Sequence, residues 1–158
     1  MSIEVKALSK QIDRREILTD ITFTWQPGRI VGLVGRNGVG KTTLFRTMAD
    51  HYLADGGELV IDGQSVLQQP QCRQKLFYID TQHNFLGSQR LRQIITTYAL
   101  GYDDFDQLRL EQLLKVEHLS VKSHYQQLSK GQQMLFQILL ALASKVPYII
   151  LDEPFDNC

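Results

Sequence analysis

The stretch that most limits what this chain can fold into is Gly35-Arg36-Asn37-Gly38-Val39-Gly40-Lys41-Thr42, which fits G-x-x-x-x-G-K-S/T. Before it runs Ile30-Val31-Gly32-Leu33-Val34, a short apolar segment bounded by glycines, which reads as a buried strand. After it a helix is predicted from about Lys41 to Ala49. Strand, glycine loop and helix in that order make a cradle for phosphate. The glycines let the backbone bend tightly and aim its N–H groups inward, while the helix N-terminus adds the positive end of its dipole. Lys41 is placed to neutralise the β- and γ-phosphates of a nucleotide, Thr42 to ligate Mg²⁺ through its hydroxyl, and Thr43 to add a phosphate contact. The plain alternative, a flexible glycine turn with an unrelated Lys-Thr, makes no use of the flanking strand and helix.

About 110 residues after the lysine, Tyr148-Ile149-Ile150-Leu151-Asp152-Glu153 puts two carboxylates at the end of an apolar strand pattern. Asp152 suits the hydration shell of Mg²⁺, and Glu153 is positioned to orient an attacking water or accept its proton. A pair of surface carboxylates capping a strand is the bland alternative.

Elsewhere, Ile3, Val5 and Ala7 alternate with Glu4, Lys6 and Leu8, and Ile21, Phe23 and Trp25 alternate with polar residues, so the two read as an antiparallel pair joined through Gln11 to Glu16. Glu58 to Ile61 reads as a strand followed by an Asp62-Gly63 turn, and Leu76 to Ile79 as another strand. From about Ser88 to Lys122 the spacing turns helical, and Leu135, Ile138, Leu139 and Leu142 share one face of a further helix. Alternating strands and helices imply an α/β core with a parallel sheet and ligands at the carboxyl ends of its strands.

Composition narrows the partners. The chain has 158 residues, with 17 Lys+Arg against 17 Asp+Glu, so no basic surplus points to nucleic acid. Met134 to Ala143, interrupted by Gln137, is about half the ~20 residues a spanning helix needs. The start, Met1 to Lys6, carries no secretory pattern, which makes the cytosol the expected compartment. Cys72 and Cys158 show neither zinc nor disulfide spacing.

A third motif is more specific. Leu128-Ser129-Lys130-Gly131-Gln132-Gln133 resembles the signature motif, commonly LSGGQ, of ATP-binding cassette (ABC) ATPases, and Ser129 also reads as a helix N-cap. Gln82 matches the family's Q-loop glutamine, and the order of phosphate loop, glutamine, signature and Asp-Glu strand is the family's order. The resemblance covers essentially the whole chain. It implies a P-loop NTPase (RecA-like) core with N-terminal antiparallel strands and an inserted α-helical subdomain. Residues 1–82 and 145–158 would form the nucleotide-binding core, and 83–144 the helical subdomain with the signature helix, within one domain incomplete at its C-terminal end. It further implies ATP and Mg²⁺ as cofactors, with Gln82 serving both catalysis and metal. Ser129, Gly131 and Gln132 would meet the γ-phosphate of ATP bound to a second such domain, head to tail.

There are departures. Lys130 replaces the commoner glycine. Ile12 lies near where the family often has an aromatic residue that stacks on adenine, and it offers only apolar contact. The family's aspartate-containing loop and γ-phosphate histidine follow the Asp-Glu strand, whereas His51, His83, His118 and His124 all precede it.

The resemblance implies the ATP-hydrolysing subunit of a membrane ABC transporter, peripheral at the cytoplasmic face. A transmembrane permease would dock on about Asn84 to Tyr98, including Phe85, Leu86 and Leu91; helical core is the even alternative for those residues. A soluble ABC-type ATPase of translation or DNA repair is the competing reading, though the segment between Lys41 and Asp152 holds no coiled-coil or zinc insertion. A P-loop kinase of a small molecule would leave Leu128 to Gln133 and Glu153 without a role. These 158 residues alone are expected to bind ATP with Mg²⁺ but hydrolyse it poorly; a steady-state phosphate-release assay showing robust turnover would contradict this.

Overall fold

A computed structural model describes residues 1–80 and 86–152. The chain divides into two compact units, Met1–Tyr78 and Ile79–Cys158.

In the first unit, β1 (Ile3–Ile12) and β2 (Arg15–Trp25) pair antiparallel from Ile3↔Trp25 to Ile12↔Arg15. Their two-residue turn, Asp13-Arg14, has φ of 49° and 64° at its two positions, the positive pair whose twist suits a tight hairpin. Both strands therefore reach further into the polar segment 11–16 than hydrophobic alternation alone implies. β3 (Gly56–Ile61) and β4 (Gln64–Ser65) follow, joined by the expected Asp62-Gly63 turn, and the sheet order is β2-β1-β3-β4.

The alternation expected of Ile3, Val5 and Ala7 breaks at Ala7. Ile3, Val5 and Leu8 are buried, while Ala7 is exposed with φ 51°. The register explains it: Val5↔Phe23 is followed by Leu8↔Ile21, and Lys6↔Glu58 by Ser9↔Gly56, so β1 carries one extra residue in both ladders. The Ala7 N–H donates to Thr22 Oγ1 at 2.9 Å. A second irregularity on β2, at Asp20 with φ 50°, brings the first ladder back at Lys10↔Leu18 before one more shift to Gln11↔Glu16, and the Asp20 N–H donates to Ser9 Oγ at 3.1 Å. Gly57, with φ 84°, faces the Ala7 bulge, where a Cβ would lie 2.3 Å from the Ala7 carbonyl oxygen.

Helix α1 (Lys41–Met48) forms as predicted and buries Leu44, Phe45 and Met48. Ile3, Val5, Ile61 and Met48 are fully buried and form the centre of this unit's core. Residues 30–34 do not become the expected buried strand. Ile30 and Val34 are 104% and 95% exposed, and the segment takes no place in the four-stranded sheet. A buried apolar run is a strand only when neighbours cover both faces, and the sheet order β2-β1-β3-β4 does not include this one.

The second unit opens on the end of β5 (Leu76–Asp80); β5 and β6 (Tyr148–Asp152) form a two-stranded sheet. The helical stretch resolves into α2 (Leu91–Gly101) and α3 (Gln107–Val116), and α4 (Lys130–Ala143) carries the long apolar run. Asp106 caps α3 by accepting the Arg109 N–H at 3.0 Å; its own N–H donates to Ala143 O at 2.8 Å, and its carboxylate pairs with Lys145 at 3.2 Å. The Arg109 N–H, and then the Lys145 ammonium, hold that carboxyl below its ordinary range.

The buried face of α4 differs from the one expected. Gln133, Phe136, Leu140 and Ala143 are buried with Leu139, whereas Leu142 is 57% exposed. The reason is polar: Gln133 Nε2 donates to the carbonyls of Tyr125 (3.1 Å) and Leu128 (3.3 Å), Gln137 Nε2 donates to the Tyr125 hydroxyl, and the Tyr125 ring packs 6.0 Å from Phe136. These contacts turn the helix by one residue relative to its leucines.

Three substitutions test this account in urea unfolding. Gly57→Ala is expected to cost about 2 kcal/mol or more, because both its φ and the Ala7 carbonyl oppose a Cβ. Gly56→Ala, whose Cβ would meet only Ser9 Cβ at 3.8 Å, is expected to cost about 1 kcal/mol or less. Gln133→Leu, which strands two carbonyls at the approach to α4, is expected to cost about 1–3 kcal/mol on the same measurement.

Candidate nucleotide-binding site

The loop before α1 is built on main-chain chemistry. Gly40 takes the N-cap position in the left-handed region, with φ 104° and no side chain to cap the helix. Its carbonyl accepts the Leu44 N–H at 2.8 Å. A Cβ there would lie 3.1 Å from both Ile17 Cγ2 and the Ile17 carbonyl oxygen, and 3.3 Å from Leu18 Cδ2. Gly40 is thus required twice, for its φ and for close approach to β2. Gly38, at φ 78°, and a Val39 N–H to Arg36 O bond of 3.3 Å close the loop behind it.

Lys41, the first helical residue, folds back so that its ammonium donates to Gly35 O at 2.6 Å and Arg36 O at 3.2 Å. Arg36, Asn37 and Val39 lie exposed on the loop, with Thr42 and Thr43 in the first helical turn. That turn contains no acidic residue. Main-chain N–H groups without helical partners, one ammonium, two hydroxyls and no carboxylate make an electrostatic fit for a chain of phosphates and a poor one for a bare cation.

The signature residues come together at the start of α4. Ser129, the N-cap, accepts the Gln132 N–H at 3.2 Å, and Gln132 Oε1 accepts the Ser129 N–H at 3.0 Å, a reciprocal box. Lys130 and Gly131 are exposed in that first turn, which again lacks any acid. The capping role expected of Ser129 is present. Gln133, the last residue of that motif, is buried and bonds two carbonyls, a role the sequence conceals; a glutamine three residues before Phe136 on an otherwise apolar helix is its one signal.

Asp152 ends β6 and is 2% exposed. Gln82 and Glu153, together with His83, Asn84, Phe85 and Cys158, lie outside the described residues. Leu91, assigned to a docking surface or to helical core, is fully buried. His51 packs edge-on against Tyr78 at 5.2 Å, His118 follows α3 with φ 55°, and His124 bridges to Arg90.

Among the described residues no three His, Cys, Asp or Glu side chains form a metal cluster. Burial raises the pKa of Tyr98 and Tyr125, and burial, then Tyr98, raises that of Tyr102 to about 12, which leaves these phenols protonated and structural. Burial likewise pushes up the Cys72 thiol. No helix of the described residues is long and apolar enough to cross a membrane.

A family profile described as "ABC transporter" matches residues 18–156. The chain is 32% identical over 155 residues to the ABC transporter ATP-binding protein YtrB of Bacillus subtilis (strain 168), covering 98% of this chain and 53% of that protein. It is 33% identical over 167 residues to the sulfate/thiosulfate import ATP-binding protein CysA of Neisseria meningitidis serogroup A / serotype 4A (strain DSM 15465 / Z2491), covering 98% and 46%. The chain spans about half the length of these curated relatives. A solved structure titled as the ATP binding subunit of an ABC transporter superposes with a TM-score of 0.85 at 28% identity, over 99% of this chain and 68% of that one. The chain belongs to the ABC transporter ATP-binding family and has that family's P-loop NTPase fold.

Proposed function

We propose that these residues are the nucleotide-binding part of a subunit that powers a membrane transporter by ATP-dependent dimerisation. The observation that carries the reading is the loop from Gly35 to Thr42, with Lys41 held in its mouth by two carbonyls and an acid-free helix start behind it. Gly35 to Gly40 would wrap the phosphates through their N–H groups, Lys41 would exchange its carbonyl partners for β- and γ-oxygens, and Thr43 would add a hydroxyl. Thr42, Gln82 and Asp152 would hold Mg²⁺, which, when bound, neutralises charge on the terminal phosphates. Glu153 would orient the attacking water, with Gln82 supporting it. Residues 1–82 and 145–158 would act as the core, and 83–144 as the helical part.

Ser129, Gly131 and Gln132 would face the γ-phosphate held by a second domain, identical or related, arranged head to tail. A transmembrane permease would take the helical part as its dock at the cytoplasmic face. Net charge of zero and the names of the relatives favour this reading over a soluble ABC-type ATPase of translation or repair.

The test is light scattering of the chain with and without ATP and Mg²⁺. ATP is expected to drive monomer to dimer for the native chain, and more completely for Glu153→Gln. Lys41→Ala and Ser129→Ala are each expected to abolish the shift, although a lost cap costs only about 1 kcal/mol of stability. Cross-linking to a membrane protein supports the transporter role, and stable association with ribosomes or DNA overturns it.

A further inference from the structure

The even charge balance of the chain conceals an uneven distribution in the second unit. No Asp or Glu stands between Asp80 and Asp103, and none between Glu117 and Asp152. The acids of the intervening stretch, Asp103, Asp104, Asp106, Glu111 and Glu117, separate these two acid-free segments in sequence. The fold stitches the segments together. The Leu91 N–H donates to Ser123 O at 3.0 Å and the Arg92 N–H to Val121 O at 2.9 Å. The Tyr125 N–H donates to Gln89 O at 2.9 Å, and the Gln126 N–H to Gly87 O at 3.1 Å. Arg90 and His124 bridge inside this seam, and the Arg90 guanidinium donates to Lys122 O at 2.6 Å.

Arg90, Arg92 and Lys122 are thereby gathered on one seam, and all three are exposed. Among the described residues none of them has a carboxylate within ion-pair distance. Asp106 is already paired with Lys145. Helix α2, Leu91–Gly101, sets Asp103 and Asp104 beyond its far end, about 15 Å from Arg90. That is roughly twice the screening length at physiological salt, so those acids do not cancel the seam's charge.

Clustered, unpaired cations attract an anionic surface more strongly than the same charges spread evenly. A nucleic-acid strand would also want aromatic faces on which to stack its bases. The one aromatic residue of 87–92 and 121–126 is Tyr125, which is buried against Phe136. Lipid headgroups ask only for positive charge within reach, and the cytoplasmic leaflet supplies them in anionic form.

We propose that the seam of Arg90, Arg92 and Lys122 rests against the anionic headgroups of the membrane, giving this subunit a lipid contact of its own. The inference rests on the reading of the chain as a membrane-side subunit. It requires no nucleotide.

The experiment is co-sedimentation of the 158-residue chain at low salt with phosphatidylcholine vesicles, with and without about 30% phosphatidylglycerol. Binding is expected to the anionic vesicles alone, and to be released at about 0.5 M salt. Arg92→Glu with Lys122→Glu, shown folded by its thermal melt, is expected to weaken binding about tenfold or more. Arg14→Glu with Arg15→Glu, which changes the net charge equally from the β1–β2 turn, is expected to leave it within about twofold. Equal binding to neutral vesicles, equal loss in both pairs, or no binding overturns the lipid contact. Displacement by polyglutamate at a charge concentration below that of the vesicles assigns the seam to an acidic protein segment, and likewise overturns it. ATP-driven dimerisation without vesicle binding overturns this inference and leaves the proposed function standing. Vesicle binding without ATP-driven dimerisation supports the lipid contact and overturns the proposed function.

Discussion

The contact on which the first unit's chemistry depends is that of Gly40 with Ile17 and Leu18. It fixes where α1 begins relative to the β1–β2 hairpin, and only a residue without a Cβ permits it at φ 104°. Once the helix start is pinned there, Lys41 is the next residue and its ammonium can reach back only to the loop it follows. Loop shape, helix dipole and cation are thereby registered against one another by a single close approach to a strand. The strand's own placement comes from the hairpin, whose irregularities at Ala7 and Asp20 cancel by the Lys10↔Leu18 rung, with one further shift before the Gln11↔Glu16 and Ile12↔Arg15 rungs at its tip.

The two helix starts that matter are finished in opposite ways. At α4, Ser129 and Gln132 satisfy each other's main-chain donors, so the turn is complete without any ligand. At α1 the cap is a glycine with no side chain to offer. A helix start without a side-chain cap gains from an incoming anion, which aligns with its dipole. The α1 start is thus left without a side-chain cap, whereas the α4 start carries a reciprocal box of its own.

The glycine loop and the helix start at Lys41 were legible because both are set by contiguous residues, a glycine-rich bend running straight into the helix within eight positions. The Asp62-Gly63 hairpin and the Ser129 cap were legible for the same local reason. What escaped depended on partners far along the chain. Ala7 looked like the third member of an alternating set, and nothing local marks it as the bulge that Gly57 accommodates. The leucines of α4 gave a clean periodicity, yet two glutamines and a tyrosine decide which face turns inward. Residues 30–34 read as a buried strand from their composition, which describes the surroundings such a run needs and not the sheet that takes it in. Asp152 was found at its strand end; its near-complete burial needed coordinates.

The exposure of that run has a colloidal meaning. Ile30 to Val34 is a stretch of β-branched and aliphatic residues without charge or proline, the composition that adheres to copies of itself when left open. Arg29 stands immediately before it and Arg36 two residues beyond it. Flanking charges of this kind act as gatekeepers, making stacked copies repel at both ends of the sticky segment. Arg36 thus serves two ends: its carbonyl accepts from Lys41, and its guanidinium sets a charge beside an exposed apolar run.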